Sequence, residues 1–141
     1  MTISERLRQT IREQAKYRCG YCLMHQRHVY APMEIDHLNP RSHGGSDDEE
    51  NLWLACPFCN IYKSNLADGV DDATGERIPL FNPRRQRWLD HFKFGIDRAE
   101  IIGITPCGRA TLKALRINDV DPLEYRRLLV KFSEYPPKEY L

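Results

Sequence analysis

Two cysteine pairs share the same two-residue gap, Cys19-Gly20-Tyr21-Cys22 and Cys56-Pro57-Phe58-Cys59. A gap of two lets both thiolates of a tight turn reach one ion, and two such turns supply the four sulfurs of a closed tetrahedral zinc site. Structural Zn2+ held by Cys19, Cys22, Cys56 and Cys59 is therefore expected. Disulfides or a redox dithiol use similar spacing. However, the opening Met1-Thr2-Ile3-Ser4-Glu5-Arg6 has no apolar signal core behind it, which predicts a cytoplasmic address and reduced thiols. A redox motif also has no reason to occur twice. Cys107, after Thr105-Pro106, reads as a small apolar filler.

Residues 23–55 separate the pairs, a longer stretch than a short zinc ribbon needs, so something is inserted. In and just beyond this insert lie Asp36, His37, Asn51 and Asn60, types suited to metal-dependent cleavage of a phosphodiester. That reaction requires a base for water, a cation to offset charge on the phosphate and leaving oxygen, and donors that hold the phosphate in line. Histidine, with an ordinary pKa of about 6.5, suits the first task. An Asp carboxylate and an Asn carbonyl are hard oxygen ligands that favour Mg2+ or Mn2+ over zinc, and two of them leave most of the shell for water and substrate. Each residue alone is ordinary in a turn, cap or surface. Their joint occurrence inside a zinc frame points to catalysis.

From CGYC through EIDHLNPRSHGG to EENLWLACPFCNIYKSN, residues 19–66 resemble the HNH endonucleases, over about a third of the chain. The resemblance implies a ββα-metal core, a β-hairpin followed by a helix around one catalytic ion, and DNA as the partner. It also implies His37 as the general base, Asp36 and Asn60 as ligands of the Mg2+ or Mn2+, and Asn51 as the brace of the loop carrying His37. Asn60 stands where the third letter of the family name would be His, a variant that many members resemble. Lys63, one helical turn after Asn60, and Arg41 are further substrate-binding expectations. One ion and one base serve one strand, so a monomer nicks, and double-strand cutting needs a homodimer or two events. The competing reading is a zinc module that binds nucleic acid or protein through the same frame without cleaving.

The elements that must position these residues follow from periodicity. A helix is expected from about Ile3 to Lys16, with Ile3, Leu7, Ile11 and Ala15 on one face, Thr2 and Glu5 at capping-box spacing, and Arg6, Arg8, Arg12 and Lys16 on the others. Tyr30–Leu38 reads as a strand with Met33 and Ile35 alternating against Glu34 and Asp36. Neighbours on a strand point to opposite faces, so for Asp36 and His37 to share a site the chain must leave strand geometry at His37. The turn-rich loop 39–46 and the acidic run 47–50 come next, then a short strand Leu52–Ala55 and a helix starting near Asn60.

The polar stretch 68–75 marks a boundary between a nuclease domain, 1–75, and a C-terminal α/β extension, 76–141, of two strands and two helices. The strands are expected at Trp88–Phe94 and Glu100–Thr105, and the helices behind Thr105-Pro106 and Asp121-Pro122. The second helix is expected to bury Tyr125, Leu128, Leu129 and Phe132. At about 65 residues the extension is small for independent stability and is expected to pack on the first part. Arg84, Arg85 and Arg87, before Trp88, form a further expected DNA-contacting patch, since arginines bind phosphate and an aromatic stacks on bases. His43 reads as an exposed loop residue, and His25, His28 and His91 have no partner pattern.

With 141 residues, 41% hydrophobic and 29% charged, the chain has the composition of an ordinary soluble globular protein and the length of one core with a small appendage, and the elements and resemblance above make the expected class α+β. No apolar run approaches the ~20 residues that span a bilayer, so no membrane partner is expected. Lys and Arg number 21 against 20 Asp and Glu, a formal charge of +1. No general basic field draws DNA in, so binding must come from the site.

Overall fold

Ile11 is fully buried on the first helix, α1 (Glu5–Gln14), and Ile3 and Ala15 are buried on either side of it, the stripe that four-residue spacing creates. The helix starts later than the Thr2–Glu5 spacing predicts. Ser4 is the cap, its hydroxyl accepting from the Leu7 N–H at 3.1 Å. The structure is a computed structural model that describes residues 2–141, and its mixture of helices and small antiparallel sheets is α+β. The chain divides into two units, one running to Ala67 and including Asn82–Arg85, the other comprising Asp68–Phe81 and Gln86–Leu141. The boundary expected at 75 falls inside a hairpin of the second unit.

In the first unit, β1 (Glu34–His37) pairs antiparallel with β2 (Leu52–Ala55), Asp36 opposite Trp53 and His37 opposite Leu52. The strand expected from Tyr30 begins only at Glu34. Gln26 takes over the backbone groups before it, accepting from Met33 N at 2.8 Å and donating to Ala31 O at 3.3 Å, and Pro32 has no N–H for a ladder. Leu52, Leu54 and Ala55 are buried, and α1 packs against β2. Gly20 ties the first cysteine turn to β2, donating to Leu54 O at 2.9 Å. A side chain there would collide with Trp53 and Pro83. The next helix, α2 (Pro57–Lys63), starts inside the second cysteine turn rather than near Asn60. Cys56 is its N-cap, the sulfur accepting from Cys59 N at 3.4 Å, and Pro57 opens the helix.

The second unit opens with a hairpin of β3 (Asp68–Val70) and β4 (Arg77–Pro79). The strand expected over Trp88–Phe94 is a helical turn, α3 (Trp88–His91), running into β5 (Phe92–Phe94), which pairs with β6 (Ile101–Gly103). The turn brings Trp88 against Phe92, Phe94 and Tyr140 in one aromatic cluster. Thr105 caps α4 (Pro106–Ala114) by accepting from Gly108 N at 3.1 Å, where sequence places it. The last helix, α5 (Val120–Lys131), starts at Val120 with Pro122 inside its first turn. Its expected buried face is wrong. Tyr125, Leu128 and Phe132 are exposed, and Leu129 and Arg126 are buried. The cause is Arg126, whose guanidinium donates to Ala99 O, Ile117 O and Asn118 Oδ1 at 2.8, 2.8 and 2.9 Å. Buried oxygens that need these donors decide which face turns inward.

Candidate active site and zinc site

The four sulfurs of Cys19, Cys22, Cys56 and Cys59 lie within 4.8 Å of one another, all on buried residues, and none is in a disulfide. Cys22 and Cys56 sulfurs are 3.7 Å apart. Tetrahedral zinc with Zn–S bonds near 2.3 Å places its sulfurs about 3.8 Å apart. Hydrogen bonding to Cys19 and then Cys22 pushes the Cys56 and Cys59 thiols well above their ordinary range. Thiolates packed this closely need a cation, and binding one releases their protons. Donor type, number and spacing all fit zinc.

Beside this cluster, Asp36 is buried, against the alternation that would point it outward. Its Oδ2 accepts from the Tyr21 hydroxyl at 2.6 Å and its Oδ1 lies 3.1 Å from Lys63 Nζ. Lys63 also donates to His37 O at 2.9 Å. Burial raises the Asp36 pKa, opposed by the Lys63 charge and by the hydrogen bonds from Tyr21 and Lys63. Burial, and then the Asp36 carboxylate, push the Tyr21 phenol well above its ordinary 10.0, so it stays a donor. Tyr21 thus joins the first cysteine turn to Asp36 of β1.

His37 keeps strand geometry, and the ladder continues past it with Leu38 N donating to Asn51 O at 2.8 Å. The expected departure at His37 does not occur. His37 Nε2 lies 2.8 Å from Asp47 Oδ1, and the Asp47 carboxylate receives Nε and Nη2 of Arg41, each at 3.0 Å. Asn51 closes the loop between the strands. Its Oδ1 accepts from Asn39 N at 2.8 Å, and its Nδ2 donates to Asn39 O at 2.9 Å and Ser46 O at 2.8 Å. Gly45 fits this brace because a Cβ there would meet Asn39 O.

Asp36, His37, Arg41 and Asn60 border one cavity of about 290 Å³. For a hard divalent cation the fit is in donor type. Asp36 and Asn60 supply the hard oxygen donors such an ion takes, and the Asp36 carboxylate is meanwhile held by Tyr21 and Lys63.

Other expected contacts lie elsewhere. Lys63 is 1% exposed, its ammonium spent on Asp36 and His37 O, so it does not face a phosphate. Arg84 staples the first unit, donating to Leu52 O and to Gln14 Oε1 at 2.7 Å, with its guanidinium 4.9 Å from the Trp53 ring centroid. Arg85 and Arg87 are exposed but belong to different units, and Trp88 is buried. Exposed His43 meets Asn65 O at 3.1 Å, His25 caps a short turn through Arg27 N, and His91 meets Thr105 Oγ1. Sequence reasoning missed Tyr21 and Asp47. The first reads as a spacer between cysteines, the second as one member of a solvated acidic run.

Residues 19–66 match the family model for HNH endonuclease, a segment that takes in both cysteine pairs, Asp36, His37, Asn51 and Asn60. The zinc cluster and its neighbouring cavity therefore lie in a stretch similar to nuclease, nucleic-acid-related domains. No curated protein and no solved structure matches the chain. Among the described residues no helix is long and apolar enough to cross a membrane.

Proposed function

We propose that the protein is a metal-dependent endonuclease that hydrolyses phosphodiester bonds of DNA, nicking one strand per active site. The observation that carries this reading is the meeting of His37, Asp36 and Asn60 on one cavity within the segment that matches the nuclease family. His37 accepts the proton of the attacking water. Asn51 pins the turn that follows His37, so the imidazole is presented from a fixed backbone. Asp36 and Asn60 would hold Mg2+ or Mn2+, which when bound supplies Lewis-acid stabilisation of charge on the phosphate and leaving oxygen. The water oxygen joins phosphorus as the bond to the 3′ oxygen breaks, leaving 5′-phosphate and 3′-hydroxyl ends.

Zinc-loaded protein with Mg2+ or Mn2+ is expected to convert supercoiled plasmid to nicked circles. His37→Ala should abolish this while zinc content and circular dichroism stay unchanged. Folded protein that binds both ions yet leaves double-stranded, single-stranded and branched DNA intact would refute the reading.

One observation favours a second reading, a zinc module that binds nucleic acid without cutting it. Asp36 already has a cation and a hydroxyl as partners within the chain. That module would tolerate substitution of His37 and Asn60 and be sensitive only at the four cysteines.

A further inference from the structure

The geometry points to Asp47 as the positioning residue of His37: its carboxylate holds the imidazole in the Nε2–H tautomer and leaves the Nδ1 lone pair to act as the base. The inference rests on the reading of His37 as general base.

A neutral imidazole carries one proton, and the partner of one nitrogen decides where it sits. His37 Nε2 is 2.8 Å from Asp47 Oδ1. An ionised carboxylate only accepts, so Nε2 must donate and Nδ1 must carry the lone pair. Asp47 is kept ionised, since its hydrogen bonds with His37 and then Arg41 hold its carboxyl below the ordinary carboxylate range.

Two further constraints hold Asp47 itself. Arg41 grips both of its oxygens with a planar fork, the geometry in which a guanidinium restrains a carboxylate most tightly. Asn51 donates to the carbonyl of Ser46, the residue before Asp47, so the brace that fixes the chain after His37 also fixes the chain before Asp47. The base ends β1, and the orienting carboxylate and restraining arginine sit on the loop that follows it, closed by one amide. Arg41 is thereby assigned as a support of Asp47.

The test is 15N NMR of histidine-labelled, zinc-loaded full-length protein at a pH where the His37 ring is neutral. Wild-type His37 should show a protonated Nε2 and an unprotonated Nδ1. In Asp47→Asn the side-chain amide can donate to Nε2, so the ring should shift toward the Nδ1–H tautomer. DNA cleavage should then fall about 10²- to 10⁴-fold in kcat, with KM for DNA and zinc content unchanged. Asp47→Glu should restore the Nε2–H tautomer in part. An Nδ1–H tautomer in the wild type overturns the inference without any variant having to fold. So does an Asp47→Asn protein with unchanged tautomer, whatever its activity. A wild type that cuts no DNA but has the Nε2–H ring would refute the base role alone, because the spectrum reports on Asp47 without turnover.

Discussion

Lys63 and Asp36 form an ion pair in which both side chains are nearly sealed from water, 1% and 4% exposed. Removing one member of such a pair strands a buried charge, which costs far more than the pair contributes. Lys63→Met is therefore expected to lower stability by about 3–5 kcal/mol in denaturant titrations of the zinc-loaded protein. Adding Asp36→Leu should recover much of that loss, whereas a lysine acting only on substrate would leave stability unchanged. Tyr21→Phe removes one hydrogen bond to a charged acceptor and should cost about 1.5–3 kcal/mol with zinc retained. At this scale the sequence was legible where chemistry is local. The cysteine spacing and the adjacent Asp36 and His37 can be read along the chain. Tyr21 and Lys63 cannot, because their partners lie 15 and 26 positions away and only the fold brings them together.

Secondary structure was legible where capping signals act alone, as at Thr105-Pro106, and illegible where a side chain claims the backbone or the core. Gln26 shortens β1 from within the preceding turn, and Arg126 rotates α5 so that a regular apolar stripe faces out. Asp71, buried after β3, is gripped by Arg109 of α4 at 2.9 and 3.1 Å, which together with the Thr74 and Ala73 hydrogen bonds lowers its pKa from 3.8 to about 2. A depressed carboxylate stabilises the fold above its unfolded pKa, and that contribution is lost as pH falls toward the folded value. Wild type should thus lose stability between about pH 4 and pH 2 more steeply than Asp71→Asn. The comparison is between the slopes of the two proteins in thermal melts, since both also lose zinc in acid. For α2 the cap is Cys56, one of the four sulfurs whose arrangement fits zinc, so chelation should unfold this helix along with the cysteine turns, seen as lost far-UV signal that returns on adding zinc.

Over the whole molecule, charge nearly cancels, but the ions change the sum. Four thiolates on one zinc take +1 to about −1, and a second divalent ion would return it to about +1. Lys63 and Arg84 are occupied inside the protein and do not neutralise phosphates, and each phosphate contact contributes only about 0.9 to the salt exponent. DNA affinity is expected to be weak, to fall with salt along a shallow slope, and to rise with added Mn2+ in fluorescence-anisotropy titrations. Tight binding after complete removal of both ions would contradict this. The position of Cys56 also carries a consequence for synthesis. A nascent chain presents Cys19 and Cys22 long before the sulfur that completes the zinc site and starts α2, and Asn60 follows the last ligand directly. Any product of translation stopped before residue 56 has half a zinc site, no cap for α2 and no Asn60. Under the proposed function, such an incomplete chain would therefore lack the metal site and the cleavage site together.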